Sequence, residues 1–223
     1  MTNKIDLYAG IHKGQRSRFF RIAMQAGTLN YDDQKSLNAL YDELSAFREE
    51  MRLHAALEER FVHPLLSDMV PGGARELEAD HRIMHQQFND LVDHFDGLRA
   101  KSDFEKRSEL SLEFYRAWNR FISFYFTHIN REEEEVQPTL WKLCTNEELA
   151  TVFSKILGAQ KPEELSESVE MMIPAMNLYE RADMLLGGKA SIPPQAFQAL
   201  LKIVERVLST DDWTALKSKI GIA

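Results

Sequence analysis

The chain has 223 residues and a formal charge of −8, from 27 basic and 35 acidic side chains. This acidic excess argues against nucleic acid or an anionic membrane as partner, because both attract clustered positive charge. Hydrophobic residues make up 44% of the chain, as in globular proteins, and no apolar run approaches the roughly 18 residues of a membrane span. The single cysteine, Cys144, excludes an intrachain disulfide framework and a thiolate zinc cluster. Because the N-terminus also lacks the apolar core of a secretory signal, we expect a soluble cytoplasmic protein.

The spacing of apolar residues predicts an all-α fold. Four long helices are expected, over about residues 7–26, from Asp32 or Asp33 to between 64 and 69, from the 71–73 turn to about 95, and from Ser102 or Asp103 to about 127 and beyond. Short connections between long helices are typical of an antiparallel up-down four-helix bundle. Asp96-Gly97 is expected to loosen the chain, and Pro138 to disturb or end the fourth helix.

Weaker helical patterns follow the bundle. They predict helices over about 146–157, 163–186, 194–208 and 211–219, with Gly187-Gly188 separating two of them. The tail after the bundle contains no histidine, so we expect it to cover or extend the bundle and not to carry metal. We therefore divide the chain into a bundle over 1–145 and a helical extension over 146–223.

All seven histidines lie between positions 12 and 128. Three pairs are four residues apart, which places both members on one helix face: His54 with Glu58, His81 with His85, and His128 with Glu132. His12 adds one donor from the first helix. Each of the four helices thus supplies a candidate ligand, which is the way helix bundles build sites for two metal ions in their interior.

The remaining two histidines are out of phase with these faces. His63 follows His54 by nine residues, or about 900°, and His94 follows His81 by thirteen, or about 1300°. Both are therefore expected to face solvent or a neighbouring element.

Each feature has a structural alternative when it is taken alone. A single histidine–glutamate pair is usually an exposed contact between successive turns, and the Glu132–Glu135 run is usually a solvated face. Several histidines that point together into an apolar bundle would be desolvated, however, and need a shared partner. A pair of metal ions is that partner. Imidazole and carboxylate donors without thiolate suit iron, with manganese or a mixed pair as the alternative.

The residues resemble those of the hemerythrin-like (HHE) proteins over roughly 8–143. The likeness rests on four ordered blocks, which are His12, the segment from His54 through Glu58-Glu59 to Pro64, the segment Glu78–His81, and the segment from His128 through Glu132-Glu133 to Pro138. In addition, His81 and His85 look like the paired histidines of oxygen-carrying hemerythrins.

The resemblance implies a non-haem di-iron centre. By analogy, His12 and His54 would bind one iron, His81, His85 and His128 the other, and Glu58 and Glu132 would bridge them. Oxygen-carrying hemerythrins have an aspartate five residues after the last histidine, where this chain has Glu133. Helical phase favours Glu132 as the bridge, whereas a local π-bulge would exchange the two. The alternative for His85 is that it does not bind metal, as in relatives that have a single histidine in the third block.

We interpret the centre as a reversible O2 site that serves storage, delivery or sensing. Aromatic residues near the ligands would form a dry pocket, unless they are simply core: Trp118, Phe121, Phe124 and Phe126. One alternative is a di-iron oxidoreductase that acts on nitric oxide or peroxide, or an iron donor. A third is an interaction module controlled by iron or oxygen.

Overall fold

The computed structural model describes residues 4–101 and 103–222, and all regular structure within them is helical. The all-α prediction is confirmed, while Ser102, one of the candidate caps, lies outside the described residues. These residues form two compact units, the first made of the residues up to Leu7 with Arg18–Ala159 and the second of Tyr8–Ser17 with the residues from Gln160 onward. Among the described helices, none combines the length and apolarity that a membrane crossing requires.

The first unit is built on long helices. Its elements are the second part of α1 (Ala9–Gly27), α2 (Gln34–Phe61), α3 (His63–Met69), α4 (Arg75–Arg99), α5 (Phe104–Arg131), a π-helical turn (Glu132–Val136), α6 (Gln137–Leu143) and α7 (Asn146–Gly158). The unit therefore includes α7, which the sequence analysis assigned to the extension.

Local signals explain where these helices begin. The carboxylate of Asp33 accepts hydrogen bonds from the backbone N–H groups of Lys35 and Ser36, and Asp103 caps α5 in the same way. The predicted second helix is divided, because α2 ends at Phe61 and a short α3 starts before Pro64, whose missing N–H is tolerated in a first turn.

The expected loosening at Asp96-Gly97 is wrong, since α4 continues to Arg99. A glycine inside a helix costs about 1 kcal/mol relative to alanine. The burial of Leu98 and the ion pair between Arg99 Nη2 and Asp96 Oδ1, at 2.7 Å, offset that cost.

Aromatic rings fill the core between the long helices. Phe19 of α1 packs against Phe47 of α2 with ring centroids 4.8 Å apart, and Phe88 of α4 packs against Trp118 of α5 at 5.5 Å. Edge-to-face contacts of this kind add to the hydrophobic stabilisation. The indole N–H of Trp118 also donates to the carbonyl oxygen of Phe19, which ties α5 to α1.

The second unit has a core of its own. Its helices after Gln160 are α8 (Pro162–Ala175), α9 (Leu178–Ser191), α10 (Pro194–Val207) and α11 (Thr210–Ile220), and they bury Ile173, Leu185, Val204 and Leu216 together. The single helix expected over 163–186 is divided because Asn177 and Glu180 form a capping box that starts α9. Gly187-Gly188 lies inside α9 and separates nothing, since the cap and the buried Leu185 hold this helix together.

Candidate metal centre

Buried polar side chains are concentrated on the helices that the sequence analysis singled out. Six of those at most 4% exposed are ionisable: His12, Glu58, His63, His81, His128 and Glu132. Ionisable groups are rarely buried to this degree unless they are paired or bind a metal ion, because desolvation of a charge is costly. Their concentration therefore needs a common explanation.

The side chains form two groups with the spacing of metal ligands. Within the first unit, the first contains His54, Glu58 and Glu132, and the second contains Glu58, His63, His81 and Glu132. Within each group the candidate ligand atoms all lie within 4.8 Å of one another. Glu58 and Glu132 belong to both groups, which is the arrangement that a pair of ions bridged by two carboxylates requires.

His128 faces the second group. Its Nε2 lies 3.1 Å from Nε2 of His81 and 3.3 Å from Oε1 of Glu132. His54 is tied to the centre through Glu58, since its Nε2 lies 3.0 Å from Oε1 of that carboxylate. The second carboxylate oxygen of Glu58 lies 3.3 Å from Nε2 of His81.

Outer carboxylates orient two of the imidazole rings. Nδ1 of His81 lies 3.0 Å from Oε1 of Glu59, and Nδ1 of His128 lies 3.3 Å from Oδ2 of Asp80. Arg131 in turn donates to Asp80 at 3.0 Å. A carboxylate can only accept, so each Nδ1 carries a hydrogen, and in the neutral form of each ring the Nε2 lone pair is turned to the centre.

Within the first unit, the structure brings together five of the seven predicted site residues. These are His54, Glu58, His81, His128 and Glu132. The sixth, His12, is buried on α1 and belongs to the second unit. Their role as ligands stays a prediction.

His63 is the residue that the phase argument assigned incorrectly. Phase left it out of the candidate ligands, as a residue that faces solvent or a neighbouring element. It does face a neighbouring element, since it is 1% exposed and stacks on His81 of α4 with ring centroids 5.3 Å apart, but it also belongs to the second group. The phase count assumed that one helix runs through position 63, whereas α2 ends at Phe61 and α3 starts anew. The His63-Pro64 pair close after Glu58 was the signal of that break. His94 behaves as expected, because its Nε2 lies 3.2 Å from the carbonyl oxygen of Leu110 on α5.

His85 stands outside both groups that the described residues form. It is half-buried and lines a cavity next to the centre. Its separation from His81 by one helical turn put it on the correct face, but too far along the helix to join the same group.

The backbone at the end of α5 determines which of Glu132 and Glu133 belongs to the ligand groups. Glu132 is fully buried and belongs to both groups, whereas Glu133 is partly exposed. A π-helical turn does occur here, but it begins at Glu132, whose N–H still donates to the carbonyl oxygen of His128. The ordinary one-turn offset between His128 and Glu132 is therefore retained.

Burial changes the acid–base behaviour of the centre. Desolvation, reinforced by the charge of Glu132, raises the pKa of Glu58 well above its usual value. Burial and the neighbouring His81 lower the pKa of His63 to about 4. For His128, burial alone would lower the pKa, but the hydrogen bond and charge of Glu132 outweigh it and raise the pKa.

These residues fit a bound cation. Both carboxylate oxygens of Glu58 lie within 3.3 Å of an imidazole nitrogen but without the geometry of a hydrogen bond. Neither ring nitrogen of His63 has a hydrogen-bond partner within residues 4–101 and 103–222. Buried polar atoms without partners are costly, and a metal ion would satisfy both groups at once. The donor set of imidazoles and carboxylates, with no thiolate, is one that iron accepts.

Metal uptake is expected to release protons and to weaken as the pH falls below neutral. The raised pKa values of Glu58 and His128 favour the protonated form of each group, and a cation must displace that proton. His63 stays neutral down to about pH 4 and contributes no proton. Calorimetric titration in two buffers with different ionisation enthalpies measures the release. Uptake that does not depend on pH would contradict the raised pKa values.

Comparisons with known proteins agree with this site. The family profile described as hemerythrin HHE cation binding domain matches residues 3–140, an interval that contains all of the residues above. F-box/LRR-repeat protein 5 of Xenopus laevis is 20% identical over 183 residues, which cover 82% of this chain and 26% of that protein. The chain thus spans about a quarter of the length of this curated relative.

Proposed function

The chain belongs to the hemerythrin HHE cation-binding family, and on this premise we propose that it holds two iron ions and binds O2 reversibly, for storage, delivery or sensing. The observation that carries the proposal is that Glu58 and Glu132 belong to both ligand groups. Two carboxylates shared in this way support a pair of ions, because a single ion would leave half of the imidazoles without a role.

The numbers of imidazoles on the two sides support a place for a small ligand. His63 and His81 belong to the second group and His128 faces it, whereas His54 is the imidazole that the first unit contributes to the first group. The first ion would therefore have fewer ligands from this unit. Iron held by these residues would supply electrons to a diatomic ligand.

A cavity of about 150 Å³ provides the space for that molecule. His54, His81 and His128 line it, so it opens directly onto the ligand groups. A cavity of this size admits a ligand no larger than about a benzene ring. This favours a diatomic molecule over a bulky organic substrate.

The dry-pocket interpretation applies to a different set of aromatic residues than expected. Of the four aromatic residues proposed from the sequence, Phe121 lines the cavity within the described part of the chain, together with Phe88 and Tyr125. Trp118 is buried in the core against Phe19, and Phe126 also packs on Phe19.

The proposal is tested by exposing the anaerobically reduced, iron-loaded protein to O2. We expect two irons per chain and a charge-transfer absorption band that appears on oxygenation and fades when O2 is removed. Zinc-loaded protein, which has no redox chemistry, is the control and should show no band. Sustained O2 consumption with an electron donor would favour the oxidoreductase alternative, and a content of one zinc per chain would overturn the proposal.

A further inference from the structure

The cavity beside the ligand groups has an apolar side and a polar side. Met51, Met84 and Phe88 contribute to the apolar side, and the polar side is formed by Arg48, Glu49, Arg52, His85 and Asn89. All of these residues belong to the first unit. A polar side is unexpected if the cavity serves only to keep water away from the centre, so its residues need a role.

His85 is the most informative of them. Its Nε2 is buried and makes no hydrogen bond to any part of the chain that the structure describes. Burial and the neighbouring His81 lower the pKa of His85, so its ring is neutral near neutral pH and carries one N–H. A buried ring nitrogen on a cavity wall is placed to bind whatever occupies the cavity.

The ligand groups do not need His85. His63 supplies the imidazole that the resemblance assigned to His85, and it stacks on His81 inside the second group. The ligand groups are therefore complete without His85. His85 is left on the cavity side, one turn along α4 from His81.

The arginine and glutamate side chains that line the cavity carry a net positive charge, which favours an anion. Arg52 Nε lies 3.0 Å and Arg48 Nε 3.5 Å from the carboxylate of Glu49. Two guanidinium groups thus share one carboxylate, which leaves a net positive charge. Arg52 and Glu49 are both more than half exposed, so this charge lies on the solvent side of the cavity, where it attracts anions.

From these observations, and resting on the proposed function, we propose that His85 is a ligand-binding residue of the cavity: it donates a hydrogen bond through Nε2 to a small anion held next to the ligand groups, and it binds no metal. Specificity follows from this role. Ligands that accept a hydrogen bond or carry negative charge are retained in preference to apolar molecules of the same size.

The test compares three alanine variants. His85→Ala removes the proposed donor, His63→Ala removes a candidate metal ligand, and His94→Ala is the matched control, because His94 is also half-buried on α4 but does not line the cavity. Each variant is loaded with iron(II) without O2, and its metal content per chain is measured by mass spectrometry. Azide is then titrated as the probe anion, and circular dichroism confirms that each variant is folded.

We expect the His85→Ala and His94→Ala variants to keep the metal content of the unmodified chain, and the His63→Ala variant to lose about half of it. Azide affinity should fall about tenfold or more in the His85→Ala variant, as for the loss of a hydrogen bond to a charged group, and should not change in the His94→Ala variant. His85→Asn, which keeps an N–H donor on a shorter side chain, should recover part of the affinity. A merely structural role would not produce this recovery.

Two results would overturn the proposal. Loss of metal in both His85 variants would make this residue a metal ligand, and unchanged azide affinity with full metal content would show that it does not contact the anion. The metal content of the unmodified chain shows whether the result contradicts only the role of His85 or also the proposed di-iron function. Two irons per chain with unchanged azide affinity in the His85→Ala variant contradict only the role of His85, whereas no metal uptake contradicts both.

Discussion

Replacing Glu58 by glutamine is expected to abolish the uptake of both metal ions and at the same time to stabilise the metal-free protein. Glu58 belongs to both ligand groups, so its loss affects both ions. An amide has nearly the same shape as a carboxylate but no negative charge, and it therefore binds iron poorly. Metal content per chain after anaerobic iron loading measures this part of the prediction.

The stability gain has a separate physical cause. Glu58 is 4% exposed, and the contacts of its oxygens with His54 and His81 lack the geometry of hydrogen bonds. Its pKa is raised by burial and by the charge of Glu132. The folded chain thus holds this proton more tightly than the unfolded chain, so the carboxyl group opposes folding increasingly as the pH rises above its unfolded value near 4.3.

The gain should therefore be largest near neutral pH and should vanish in acid. An amide removes the cost of the buried charge, which we place at roughly 1–3 kcal/mol, or a rise of several degrees in the unfolding midpoint of a chain of this size. Thermal unfolding of the metal-free Glu58→Gln variant at about pH 7 and about pH 4 measures it.

Glu59→Gln is the control, because Glu59 is 43% exposed and only orients His81. It should weaken metal binding by about 10–100-fold without abolishing it. Two metal ions in the Glu58→Gln variant would contradict the bridging role.

The second large effect should separate two adjacent glutamates. Glu132→Gln is expected to lose both metal ions, whereas Glu133→Gln should bind them as the unmodified chain does. Glu132 is fully buried and belongs to both groups, while Glu133 is partly exposed one position further along the helix. One residue rotates a side chain by about 100°, which is enough to remove a carboxylate from the centre.

Metal content and metal-dependent stabilisation measure this difference. A metal ion present at about 1,000 times its dissociation constant stabilises the folded chain by about 4 kcal/mol, and Glu132→Gln should remove that gain. The opposite pattern, with metal lost in the Glu133→Gln variant alone, would show that the π-helical turn changes register when metal is bound.

Interactions within single helices were predictable from the sequence. The pairs His54–Glu58 and His128–Glu132 are close because a spacing of four residues closes one helical turn, whatever the rest of the chain does. Asp33 and Asp103 cap their helices for an equally local reason, since each bonds backbone N–H groups two or three residues ahead.

Interactions across a break in a helix were not predictable in this way. His63 was placed by extending the phase of α2 through position 63, and the break after Phe61 made that extension invalid. The division of the expected 163–186 helix has the same origin, because a capping box at Asn177 competes with an apolar pattern that continues past it.

The sequence by itself determined that this is an all-α chain of the hemerythrin HHE type, and it determined which helix faces carry histidine and glutamate. Only the tertiary structure decided that His63 joins the ligand groups and that His85 lines the cavity. Membership of a helix face depends on contacts between residues a few positions apart. The distance between side chains on different helices depends instead on where each helix ends and how it packs, which no local spacing encodes.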